Sequence, residues 1–473
     1  MNMMKVQFLM MMAVILLQGT LNAQKAESYT IDAEFFPADA QMFGVDVSPV
    51  HFMRGSALIS LTDKITEDTE FFLHGELRID SVIINGSRVS HSSEKVLYNY
   101  NYSGLAVKTG LKDIPEQDSK KMQVFYSGFM HPSKARSISD YMRIDKNEGV
   151  FLRSFAYSLW FPVFLEDGEQ WHPVTFDMVT VKLPPGFKSL VTGELISETI
   201  KEGNYVAEWK PGEVNIFEVQ CTARKYEVLE KNGISVYYLG NEEQAGNILD
   251  FSLKLKKFCY EKLRTYTDNR HLFVMEMPPF GDISSGNVIG LQSARFNNFD
   301  KSMNSMATIT HEFVHPYLSV PVSVDNPIYT LVLEGFPSFF QVYVLAGIID
   351  DYDPESVMLR VEENYLEKKR TGLNRRGRQL PEEKAVYEIT ADEIGEYKDN
   401  FVLSDRVWLF MFDLWQQMGD SEFEKFIKEL FSLESIDTRI FEDLILDYLP
   451  AYKDRLDTWL KTSDYPEEFL LAK

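Results

Sequence analysis

The 473-residue sequence predicts a multidomain chain: an N-terminal all-β unit, either a sandwich or a saddle-like sheet assembly, followed by an α+β unit that is mostly helical. Three observations carry this. From about Tyr29 to Lys225, short period-two apolar runs alternate with turn residues. After Lys225, apolar residues begin to recur at helical spacing. Beyond Ser302, nearly every long segment has the helical pattern. Hydrophobic residues at 45% and charged residues at 25% are ordinary globular proportions, so a chain of this length can bury several cores.

The first 23 residues, MNMMKVQFLMMMAVILLQGTLNA, place Lys5 ahead of an apolar run from Phe8 to Leu17, then small or polar residues ending at Ala23. That is the layout of a secretory signal peptide, with cleavage expected after Ala23. The apolar run is too short to span a bilayer, and no later segment is apolar enough to do so. The chain is therefore expected to be exported, to the periplasm or the extracellular medium. A formal net charge of −23 repels nucleic acid and anionic lipid, so neither is an expected partner. Cys221 and Cys259 are too few for a disulfide scaffold. Both are expected to be structural, with one bridge between them left open.

Residues 24–225 are assigned to the β unit. In LRIDSVIINGSRV, Val82, Ile83 and Ile84 lead into Asn85-Gly86, a pair suited to the positive φ angles of a tight hairpin turn. SALISLT, MQVFYS, DMVTVKL, NYVAEWK and NIFEVQC are further candidate strands. Residues 226–473 form the second unit. ISVYYLG reads as a strand, EQAGNILDFSLKLKKFCYEKL as a helix, and HLFVMEM as a strand broken by Pro278-Pro279. FVLSDRVWLFMFDLWQQMG and SEFEKFIKELFSL read as helices. Lys368 to Arg378, KKRTGLNRRGR, holds six basic residues in eleven and is expected to be a solvated loop; contact with an acidic substrate or a partner is the functional reading.

The segment THEFVHPYLS carries the chemistry. On a helix, residues four apart share a face with Cβ atoms roughly 5–6 Å apart, so His311 and His315 can direct two imidazoles at one ion. Glu312 is offset by about 100°, which suits a base acting on metal-bound water better than a third ligand. Asn304 or Ser305 is the expected helix start, and Pro316 is expected to end or kink it. Eighteen residues after His315, Glu334 opens the apolar segment EGFPSFFQVYV. A third carboxylate ligand there leaves the fourth position of a tetrahedral zinc open, as a catalytic site requires. His51, His74, His91, His131, His172 and His271 lack metal-ligand spacing.

HEFVH, eighteen residues and then EGF resembles the gluzincin metallopeptidases of the aminopeptidase N and leukotriene hydrolase type. The resemblance extends along most of the chain after the leader: FFLHGELRIDSVIINGSRV is similar to that family's N-terminal β domain, LWFPVFLEDGEQWHPVTFDMVTVKLPPGF to the segment around its Trp-x-Pro motif, and FVMEMPPFGDISSGNVIGLQS to its edge strand and substrate loop. It implies a thermolysin-like catalytic domain with one zinc ion held by His311, His315 and Glu334, a peptide or protein substrate, and Glu312 as proton shuttle. A tyrosine that stabilises the oxyanion is implied beyond the third ligand; Tyr397 lies in the expected neighbourhood, and Tyr387 stays open.

Three departures accompany the resemblance. Where the family's loop has a glutamate that binds the free amino terminus, matching Gly290 to the family's next glycine puts Asn287 in its place. An amide cannot give an ammonium the charge-assisted contact a carboxylate gives, so exo- or endo-specificity stays open. The chain is expected to lack the large helical domain that roofs the site in many relatives. Pro316 and Pro337 follow closely behind zinc ligands. A catalytically inactive protein that binds a peptide or partner is the alternative expectation.

Overall fold

The computed structural model describes residues 25–37, 51–100, 102–114, 119–130, 142–145, 149–152, 159–164, 173–215, 219–263, 271–277, 282–315, 322, 326–329, 331–374, 377–390, 393, 405–465 and 467–471. The leader, Pro316 and Tyr397 lie outside them. Two compact units divide between Lys225 and Tyr226.

The first unit is built of strands. In chain order they are β1 (Ala26–Pro37), β2 (His51–Leu61), β3 (Glu70–His74), β4 (Leu77–Ile84), β5 (Ser87–Tyr100), β6 (Tyr102–Lys112), β7 (Lys121–Met130) and β8 (Met142–Asp145). Then follow β9 (Gly149–Leu152), β10 (Pro173–Leu183), β11 (Lys188–Val191), β12 (Glu194–Lys201), β13 (Asn204–Lys210), β14 (Gly212–Asn215) and β15 (Cys221–Arg224). Eleven of them form one sheet in the order β12-β13-β10-β1-β2-β7-β4-β5-β6-β3, with β14 also paired to β10. The remaining four form a smaller sheet, β11-β15-β9-β8. Alternation supplies the core: Tyr29, Ile31, Ala33 and Phe35 of β1 all point inward and are buried. Tyr29 stacks on Phe176 with centroids 5.0 Å apart, and Trp209 Nε1 of β13 donates to Ser189 Oγ of β11 at 3.1 Å, tying the two sheets together.

Asn85 and Gly86 turn β4 into β5 with φ of +50° and +77°, the pair of left-handed residues a tight hairpin needs. NIFEVQC is not one strand: β14 ends at Asn215, and β15 starts at Cys221.

The second unit carries a five-stranded sheet, β16 (Glu227–Lys231), β17 (Ile234–Tyr238), β18 (Leu272–Met277), β19 (Ile283–Ser285) and β20 (Val288–Gln292), in the order β16-β17-β18-β20-β19. Its central pairs β17–β18 and β18–β20 are parallel. The helices are α1 (Glu242–Phe258), the short α2 (Ser293–Phe296), α3 (Met303–Val314), α4 (Phe336–Ile348), α5 (Pro354–Thr371), α6 (Val407–Leu430), α7 (Thr438–Tyr448) and α8 (Lys453–Lys461). The span α6 holds the two helical segments read on either side of Gly419, which interrupts it with non-helical angles, φ +71° and ψ +165°. Buried Arg406 donates to the carbonyls of Thr458 and Trp459 in the last turn of α8 and of Thr462 and Asp464 just beyond it. No helix among the described residues is long and apolar enough to cross a membrane.

The basic run is a solvated loop only in part. Lys368 is buried in the last turn of α5 against Asp405, and Lys369 pairs with Glu383 at 2.9 Å. Cys221 and Cys259 are free and buried, one in each unit. Burial pushes both thiols up, Cys221 to about 12, which disfavours the reactive thiolate.

Candidate metal centre

Helix α3 starts one or two residues earlier than the sequence reading placed it, because Ser302 caps it by accepting from the Ser305 N–H at 3.3 Å. Ile309, Thr310, Phe313 and Val314 are buried and fix the helix against the core. His311, Glu312 and His315 fall on the remaining, half-buried side. The helix ends at Val314 with His315 as its C-cap.

Glu334 comes from a different local structure. Leu331–Gly335 is a π turn leading directly into α4. Pro337 is the second residue of α4 and has no N–H to give the carbonyl of Leu333, while its ring crowds that carbonyl; a widened turn relieves both. Gly335 is required by packing: a β-carbon there would lie 2.5 Å from Val407 Cγ1 at the start of α6.

These elements bring His311, His315 and Glu334 together, with their ligand atoms all within 4.8 Å of one another. The two histidine Nε2 atoms are 3.2 Å apart, and His311 Nε2 is 3.9 Å from Glu334 Oε2. A tetrahedral zinc with ligands at about 2.0–2.2 Å spaces neighbouring ligand atoms roughly 3.3 Å apart, so the histidine pair stands at ligand spacing and the Glu334 oxygen somewhat farther out. The imidazole rings meet nearly edge to face at 84°, and the side chains of His311 and Glu334 keep 20% and 15% exposure. Two imidazole nitrogens and one carboxylate oxygen are a zinc donor set that leaves a position open.

The substrate-loop residues have other work. Asn287 closes the β19–β20 turn, is nearly buried, and donates from Nδ2 to the His271 carbonyl at 2.7 Å. An ionised carboxylate in its place could not do this, since it has no proton to donate to a carbonyl. Gly290 lies in β20 between Met275 of β18 and Ile283 of β19, where a β-carbon would meet Met277 Sδ at 1.8 Å. Tyr387 packs by α8; burial first, and then the Glu442 carboxylate, push its phenol above the ordinary range.

A charged group that the spacing rules do not flag stands nearby. Asp282 accepts from Gln292 N–H at 2.9 Å and from Gln292 Nε2 at 3.2 Å, and it pairs with Arg295. Burial draws the Arg295 guanidinium below its ordinary value, and the Glu312 carboxylate opposes that shift.

No sequence-family model matches the chain, and no curated protein matches it by sequence. Solved structures do. An M1 zinc metallopeptidase from Deinococcus radiodurans matches with a TM-score of 0.63 at 14% identity, over 94% of this chain and 96% of that one. A variant of an M1 zinc metallopeptidase from the same organism, bound to a Tyr-Ser-Ala substrate, matches with a TM-score of 0.61 at 14% identity, over 94% and 96%. Native yeast LTA4 hydrolase matches with a TM-score of 0.63 at 15% identity, over 94% of this chain and 69% of that one. At these identities the likeness establishes the fold, in which a β-rich N-terminal unit is joined to a largely helical C-terminal unit as in the M1 zinc metallopeptidases.

Proposed function

We propose that the chain is an exported zinc metallopeptidase with a thermolysin-like catalytic unit, hydrolysing peptide bonds. The observation that carries this is the meeting of His311, His315 and Glu334 from two separate elements, with Glu312 on the next position of the same helix. Zinc, when bound, supplies Lewis acidity toward the scissile carbonyl and the attacking water. Glu312 takes the proton of that water and returns it to the leaving amine, one carboxylate serving as base and then acid. Tyr397, or else Tyr387, stabilises the developing oxyanion. Asn287 offers no carboxylate to a substrate ammonium, which supports cleavage without a required free amino terminus. Export rests on the leader composition at residues 1–23.

The test is mass spectrometry of a mixed peptide library, half with blocked amino termini, incubated with zinc-loaded protein and with its Glu312→Gln variant. Glu312-dependent cuts that include blocked peptides are expected. Cleavage of free termini alone would restrict the enzyme to aminopeptidase action, and equal turnover by Glu312→Gln would remove the assigned base.

A further inference from the structure

The pair Asp282–Arg295 has no part in the metal centre as assigned, yet it flanks the strands that α3 packs against. Helix α3 packs against β20 and β19. Asp282 directly precedes β19, and Arg295 sits in α2, three residues past the end of β20. The Asp282 side chain is 5% exposed, and two donors from Gln292 fix it in addition to the arginine. Arg295 retains 32% exposure. A guanidinium has five N–H donors in a planar fork, more than a single carboxylate can accept, so a buried Asp282 orients the group while leaving donors for a ligand.

The sign of this charge is informative. Where the resemblance placed an anion for the substrate's amino terminus, Asn287 is committed to a backbone carbonyl and Gly290 to packing. Among the described residues, Arg295 is a cation within electrostatic reach of Glu312. A held guanidinium repels an ammonium and pairs with a carboxylate through short, charge-assisted hydrogen bonds.

We propose that Arg295 is a specificity-determining residue that receives a substrate carboxylate, so that the site prefers peptides with an acidic side chain or a carboxyl terminus close to the scissile bond. This rests on the peptidase reading above. Asp282 and Gln292 are its positioning residues.

The experiment is equilibrium binding, which needs no turnover: fluorescence anisotropy of labelled short peptides with the zinc-loaded protein, carrying Glu312→Gln to prevent cleavage. One arm compares glutamate with glutamine at each position in turn, and a second compares a free with an amidated carboxyl terminus. In at least one arm the carboxylate peptide is expected to bind about tenfold tighter than its amide twin, and the arm that responds identifies the source of the carboxylate. Arg295→Gln is expected to bring that ratio to about one, and Arg295→Lys to keep part of it. Equal affinities in both arms with Arg295 intact overturn the proposal, as does a preference that survives Arg295→Gln. If Arg295→Gln does not fold, the arms with Arg295 intact and with Arg295→Lys still decide. The peptidase reading fails separately, through a library in which no peptide is cut in a Glu312-dependent way.

Discussion

Gly335 and Val407 approach so closely that a β-carbon on the glycine would lie 2.5 Å from Val407 Cγ1 and 3.1 Å from Val407 Cβ. The glycine has ordinary helical angles, φ −69° and ψ −46°, so alanine meets no backbone barrier there and gains helix propensity. Contact alone therefore decides the outcome. Gly335→Ala is expected to cost about 1–3 kcal/mol in urea unfolding, and to reduce zinc retention by displacing the adjacent Glu334. Val407→Ala in the same chain makes room, so a double-mutant cycle should show strong positive coupling. An alanine variant with undiminished stability and zinc content would remove the packing explanation for this glycine.

The ligand set makes a second prediction. His311→Ala and His315→Ala should each lose zinc on dialysis, measured by atomic emission, while the first unit's strands keep their far-ultraviolet signal. Binding to the folded chain alone stabilises it by about 4 kcal/mol when free zinc exceeds its dissociation constant a thousandfold, so chelation should lower the melting temperature of the second unit. The same chelator should leave the melting of His311→Ala unchanged. A chelator-insensitive parent protein, with zinc already shown to be absent, would reassign the 3.2 Å histidine contact to an ordinary N–H···N hydrogen bond.

The nearness of His311 and His315 was legible because helical periodicity is a local rule: they share a face whatever surrounds them. The Asn85-Gly86 turn was legible for the same reason, since both residues tolerate positive φ. Partnership across the chain was not. Nothing in the period-two pattern of β1 says that it pairs in parallel with β10, well over a hundred residues on. The π turn at Glu334 follows from Pro337 within a packed core, and Arg295 is joined to Asp282 by a fold that no spacing rule encodes. Lys368 reads as one charge of a solvated run, yet α5 turns it inward.

Lys368 and Asp405 supply a third prediction, since both side chains retain only 10% exposure. Asp405→Asn leaves an uncompensated buried ammonium and is expected to cost about 3–5 kcal/mol in denaturant unfolding. Replacing both partners, Lys368→Met with Asp405→Leu, removes both charges together and should recover most of that loss. If the double replacement is as unstable as the single one, the pair contributes through packing geometry and not through charge compensation.

His74 makes the acid response of the first unit predictable. Its Nδ1 accepts the Glu76 N–H at 3.2 Å, which only an unprotonated Nδ1 can do. Burial, reinforced by Lys95, lowers its pKa from 6.5 to about 4. The unfolded chain therefore binds a proton more readily than the folded one between these values. This contribution to stability is complete above about pH 6.5 and is lost as pH falls through 6.5 toward 4. A shift of this size corresponds to about 3 kcal/mol. His74→Gln should lower stability modestly at neutral pH, by removing the acceptor, but should flatten the slope between pH 6.5 and 4 in urea titrations of the first unit's transition. His91, also lowered by burial, is common to both proteins and cancels in the difference. Identical acid slopes in parent and variant would place the proton uptake elsewhere and leave His74 a bystander.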